Sequence, residues 1–144
     1  MGAALTDAAF ACQAYEANEA LAQRTPPHAY EFNDPHPVAY DLYAGPGAGH
    51  TAEIPYVFQE PASAWKRAST AQRALSDTML SYWTRFAATG DPNTPGTPPW
   101  PRYDLVQELM PGDTAPNSAS AFARDHQCRF WLPLRHSGQV KLYF

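Results

Sequence analysis

Ser69 and Gln72 stand at the spacing of a capping box, and behind them Ala71, Leu75, Met79, Tyr82, Trp83 and Phe86 fall on one face of a helix. Gly90 and Pro92 end that helix. The spacing predicts about twenty helical residues. The resulting stripe is wide and aromatic, and it is stable in water only if a sheet or a second helix covers it. A chain built on such a helix must therefore assemble a packed core. Its length of 144 residues suffices for one domain, taken as 1–144.

Composition narrows the partners. Aromatic residues make up 13% of the chain, far too many for a disordered one. Ten Lys and Arg face fourteen Asp and Glu, and the cations are scattered, so neither nucleic acid nor an anionic membrane is expected as a partner. Prolines crowd the stretch from Asp91 to Pro101, where they break regular structure; this is read as a long ordered loop and not as a domain boundary. No apolar run reaches transmembrane length, and the first residues contain Asp7, Glu16 and Glu19 with no basic leader. Neither a signal peptide nor an anchor is expected in this chain.

Other elements follow from periodicity. Phe10, Ala14, Ala17 and Leu21 recur at helical spacing within Leu5 to Leu21, with Thr6 as the N-cap and Pro26-Pro27 as the stop. Ala29 to Phe32 reads as a strand closed by Asn33-Asp34-Pro35, and a long loop then runs through Gly45, Pro46 and Gly47 to Gly49 and His50. Glu53 to Phe58 suits either a helical turn or a buried extended segment, since Pro55 fits the first turn of a helix. Leu105 to Met110 reads as an edge strand, Ala121 to Leu132 as a final helix ending at Pro133, and Gln139 to Phe144 alternates weakly.

The run Gly47-Ala-Gly-His50-Thr-Ala-Glu53-Ile-Pro-Tyr-Val-Phe58 resembles the histidine loop of type-B carboxylesterases and cholinesterases. The likeness extends to Thr6-Asp7 with Phe10 and Cys12, to Tyr30-Glu31-Phe32, and to Tyr82-Trp83 with Phe86-Ala87 and Gly90-Asp91-Pro92-Asn93. It continues in Trp100-Pro101 with Tyr103 and in Cys128 with Phe130-Trp131. The resemblance implies an α/β class and the C-terminal part of an α/β-hydrolase fold, its last strands and helices, incomplete as a domain. It also implies that His50 is the general base of a Ser-His-Glu/Asp triad and that Cys12 and Cys128 form a disulfide. The chain-entropy model values such a bridge at roughly 5 kcal/mol.

Glu53 lies too close to His50 in sequence to be the triad acid, which in the resembled family lies far upstream. It either helps to position the loop or caps the turn that follows. No serine precedes His50, and no Gly-x-Ser-x-Gly elbow occurs, although these hydrolases run serine, acid, histidine in chain order. The chain alone is therefore expected not to hydrolyse esters. Cys12 lacks the glycine-rich surroundings of a nucleophile. Ile54 stands where a zinc motif begun by His50 and Glu53 needs its second histidine, and His28, His36, His126 and His136 show no ligand spacing, so no metal and no cofactor are expected.

Three readings compete. The first is a fragment of a serine esterase whose partners are a small-molecule carboxylic ester and the missing N-terminal portion. The second is a non-catalytic binding or adhesion member of the same fold, and the third is an autonomous disulfide-bonded domain. Localisation stays open, with a secreted or extracytoplasmic parent consistent with a disulfide.

Overall fold

The structure is a computed structural model that describes residues 2–38 and 47–139. The chain begins with α1 (Gly2–Thr6), a π-helical turn at Asp7–Ala11 and α2 (Cys12–Ala22), which follow one another without a break. Strand β1 (Ala29–Phe32) leads to α3 (Ile54–Phe58), α4 (Ala62–Trp65) and the long α5 (Thr70–Thr89). Strands β2 (Leu105–Leu109) and β3 (Ala115–Ser118) follow, then α6 (Ala119–Asp125) and α7 (Cys128–His136). The strands form one sheet in the order β1-β2-β3. Leu105 to Leu109 is thus the central strand of these three and not an edge.

By contact the chain forms two compact units, and the proline-rich loop 91–101 lies wholly inside one of them. The unit of Tyr30–Pro101 and Gln107–Pro116 is built on α5. Ser69 accepts a hydrogen bond from the Gln72 amide at 3.2 Å while the Gln72 side chain accepts from the Ser69 amide at 2.9 Å, the reciprocal capping expected of this pair. Gly90 closes the helix at φ +76, a left-handed conformation in which a side chain is strained. Leu75, Met79 and Tyr82 are buried against Val38, Tyr56, Trp65, Trp100 and Leu109. Full burial of a side chain like Met79 contributes about 1.5–3 kcal/mol. Phe86, placed on the same face by its spacing, stays 48% exposed.

The proline-rich loop belongs to this core. Asn93 clamps it, accepting from the Trp100 amide at 2.7 Å and donating to the Trp100 carbonyl at 3.0 Å. The Trp100 ring then meets Tyr82, Trp83 and Tyr30 at centroid distances of 5.0, 5.5 and 5.9 Å. The contacts with Tyr82 and Tyr30 are edge-to-face, a geometry that adds about 0.5–1.5 kcal/mol each beyond the area buried.

The other unit joins Met1–Ala29, Arg102–Val106 and Asn117–Phe144. Cys12 and Cys128 are disulfide-bonded, Cα atoms 5.2 Å apart, and both are buried. Beside the bridge the His126 ring lies 2.8 Å from the Asp7 carboxylate. A small apolar cluster of Ala11, Ala29, Val106, Ala119 and Phe122 completes this unit.

Three expectations need correction here. Thr6 is helical (φ −57, ψ −48) and its side chain caps nothing, because the helix is already under way from Gly2. The buried face holds Ala8, Ala9, Ala11 and Cys12, whereas Ala14, Ala17 and Leu21 are exposed. The final helix is two helices, broken at Gln127, which adopts φ +54. Pro133 lies inside α7 rather than ending it. Residues 140–144 lie outside the described part.

Candidate active site

His50 is exposed and sits in a short knot of turns. Gly47 adopts φ +94, and its carbonyl accepts from the Gly49 amide at 3.0 Å. The Gly49 carbonyl in turn accepts from Ala52 at 3.0 Å, and that of Thr51 from Ile54 at 3.1 Å. Thr51 has φ +73, a conformation that a β-branched residue holds only where its surroundings impose it. Ala52, immediately after, is fully buried and fixes the depth of the turn.

These turns pass directly into α3, so Glu53 to Phe58 is helical and not extended. Pro55 occupies the first turn, where its missing N–H is no loss. Glu53 stands at the N-cap in a helical conformation (φ −78, ψ −21), and its side chain makes no capping hydrogen bond. Its backbone carbonyl does that work, accepting from Tyr56 at 2.9 Å and Val57 at 3.3 Å. The capping role for the Glu53 carboxylate is therefore not what the structure shows. Its charge is felt at Tyr30, whose phenol is pushed up chiefly by burial and secondly by Glu53.

A buried polar network that the sequence does not announce holds α3 in place. Tyr56 is fully buried, and its hydroxyl donates a short hydrogen bond to Asp34. The same hydroxyl accepts from the Val38 amide at 3.3 Å. Asp34, 2% exposed, also accepts from the His36 amide at 2.8 Å and from the Gln72 side chain at 3.0 Å. Burial is the largest cause of the raised Tyr56 phenol pKa, and the Asp34 hydrogen bond is the next. On the other side of α3, buried Ser76 donates to the Tyr56 carbonyl at 2.7 Å, and Gln59 donates to Ser76 at 3.2 Å. The helix after the histidine is thus tied to the residues that follow β1 and to α5. The only sequence signal was Asn33-Asp34-Pro35, read as a strand terminator, which is how an Asp side chain that turns back onto the backbone presents itself.

Cys12 and Cys128 are committed to their disulfide, which leaves Cys12 no thiol. Among the described residues no cluster of three His, Cys, Asp or Glu is placed to hold a metal ion. Among them, too, no helix is long and apolar enough to cross a membrane.

Comparison with known proteins fixes what this scaffold is. Residues 1–131 match the model of the Carboxylesterase family. The chain belongs to the carboxylesterase family. This family member is 36% identical over 91 residues to Carboxylesterase 3 of Pongo abelii, covering 58% of the chain and 16% of that protein. It is 34% identical over 118 residues to Carboxylesterase 5A of Mus musculus, covering 76% of the chain and 20% of that protein. The crystal structure of Aspergillus niger EstA superposes with a TM-score of 0.72 over 94% of the chain and 28% of EstA, at 22% identity. That likeness places the chain within the α/β-hydrolase fold, of which its small sheet and helices are a part. The carboxylesterase chain spans about a fifth or less of the length of these curated relatives.

Proposed function

We propose that this carboxylesterase-family chain, residues 1–144, supplies the histidine-bearing C-terminal part of a carboxylic-ester hydrolase, with His50 as the general base. The observation that carries the reading is the anchored turn: an exposed imidazole on a loop braced by a fully buried Ala52 and by α3. A base must be held still to take a proton from a serine hydroxyl and return it to the departing alcohol, yet it must also be open to substrate. In this reading the serine attacks the ester carbonyl as His50 takes its proton. The alcohol leaves with the proton from His50, and water then releases the acyl group by the same route.

The nucleophile, its acid partner and the oxyanion donors belong to the rest of the hydrolase, because no elbow motif occurs in these residues. The proposed partners are accordingly that remaining portion and a small-molecule carboxylic ester. Glu53 is proposed to act on the loop through its backbone and its charge, without touching substrate. By itself the chain is expected neither to hydrolyse p-nitrophenyl butyrate nor to take up a fluorophosphonate label. Joined in frame behind the serine- and acid-bearing portion of a matched relative, it is expected to do both. Labelling of the isolated chain at one of its own serines overturns the reading.

A further inference from the structure

We propose that Asp34 and Tyr56 are positioning residues for His50, acting by tying α3, the helix that directly follows the histidine turn, to the residues after β1. The inference rests on the assignment of His50 above and names what holds it. Asn33 and Asp34 directly follow β1, and Tyr56 lies in α3, directly after the histidine turn. Asp34 gathers three donors: the His36 amide, the Gln72 side chain and the Tyr56 hydroxyl. Tyr56 reciprocates by accepting from the Val38 amide. One side-chain pair therefore ties the backbone at residues 36 and 38 to α3 at residue 56, six residues past His50.

The network is itself referenced to α5. Gln72, the capping-box partner of Ser69, also donates to the His36 carbonyl at 2.8 Å, so the first turn of α5 sets the height of the network. Asp34 and Tyr56 are 2% and 0% exposed, which shields these bonds from water, and every partner of the Asp34 carboxylate donates to it. An amide at position 34 turns one acceptor into a donor and sets it against the His36 amide at the Oδ1 position, or against the Gln72 side chain and the Tyr56 hydroxyl at the Oδ2 position. A phenylalanine at position 56 keeps the packing, takes one of its three donors from Asp34 and removes the oxygen to which the Val38 amide donates. Either change loosens the turn without touching substrate.

The test uses the fusion of the chain to the serine-bearing portion of a relative, with Asp34→Asn and Tyr56→Phe made in it and active sites counted by fluorophosphonate titration. The expected result is kcat per titrated site lowered about tenfold to a hundredfold with KM within about twofold, since displacement of the base slows chemistry and leaves binding alone. A role confined to folding changes the number of titratable sites and not the rate at each. Unchanged kcat per site in both variants therefore overturns the inference and leaves His50 standing. His50→Ala in the same fusion separates the two: turnover as fast as the parent's overturns the histidine assignment and this inference with it. A second measurement needs no activity. In the 144-residue chain, amide exchange at residues 47–53 is expected to rise about fivefold or more in Tyr56→Phe while residues 77–86 of α5 keep their protection. Equal exchange at 47–53 overturns the inference.

Discussion

Loss of the Cys12–Cys128 bridge has a magnitude that follows from the chain itself. The two cysteines are 116 residues apart, so the bond closes most of the chain into one loop. In the chain-entropy model, opening a loop of that size returns to the unfolded state a freedom worth about 5 kcal/mol at room temperature. Whole domains are stable by about 5–15 kcal/mol, so the bridge accounts for a third or more of that total. Both sulfurs are buried, each cysteine being 1% exposed, so reductant reaches the bond only when the unit opens. The protein should therefore be reduced in denaturant and refolded with the thiols held reduced. Urea unfolding with an m-value of about 2 kcal/mol per M converts the loss into a midpoint lowered by about 2.5 M. The m-value should rise as well, because the unbridged unfolded chain is more expanded. Oxidised and reduced proteins with midpoints within about 0.5 M of each other would refute the entropic reasoning.

Other consequences are as specific. Met79→Ala, at a fully buried site in α5, should cost about 2–5 kcal/mol in urea unfolding, and less than about 1 kcal/mol would mean that this core is loosely packed. Ser69→Ala removes the side chain that accepts from the Gln72 amide and should cost about 0.5–2 kcal/mol, read from the same titration. Alkali should destabilise the fold: burial pushes the Tyr82 phenol up to about 12. The unfolded phenol ionises from about pH 10, so the folded state keeps a proton that the unfolded state has lost. Stability should be fully present below about pH 10 and decline up to about pH 12, with phenolate absorbance from Tyr82 emerging only as the chain unfolds.

What the sequence reveals divides along physical lines. The capping box, the left-handed Gly90 and the stripe of Leu75, Met79 and Tyr82 are local signals, each set by residues within a turn or two, and the structure carries all of them. The Cys12–Cys128 pair is legible through family resemblance, which also points to His50 and its loop. Long-range choices were not legible. Leu105 to Leu109 became a central strand because Ala115 to Ser118, a segment with Pro116 and no apolar alternation, pairs beside it. The break at Gln127 uses a positive φ at a residue that carries no glycine signal. The exposure of Ala14, Ala17 and Leu21 is set by what the rest of the fold packs against α2, which the spacing of apolar residues does not register.

The site shows the same division. The proposal of His50 rests on a motif contiguous in sequence, which is the kind of signal that resemblance can use. The brace beneath it joins Asp34, Tyr56 and Gln72, up to 38 residues apart, and each of the three has an ordinary local explanation. Asp34 reads as a turn residue, Tyr56 as core and Gln72 as a helix cap. Only their convergence on one buried carboxylate gives them a second role.

The most direct test of the central claim is kcat for ester hydrolysis by the fusion of this chain to the serine-bearing portion of a relative, measured with His50 intact and as His50→Ala. The account predicts a loss of about 10⁴-fold or more on replacement, with the protein still folded and the elbow serine present. A His50→Ala fusion that keeps kcat within about tenfold of the parent would contradict it, and the general base would have to be sought elsewhere.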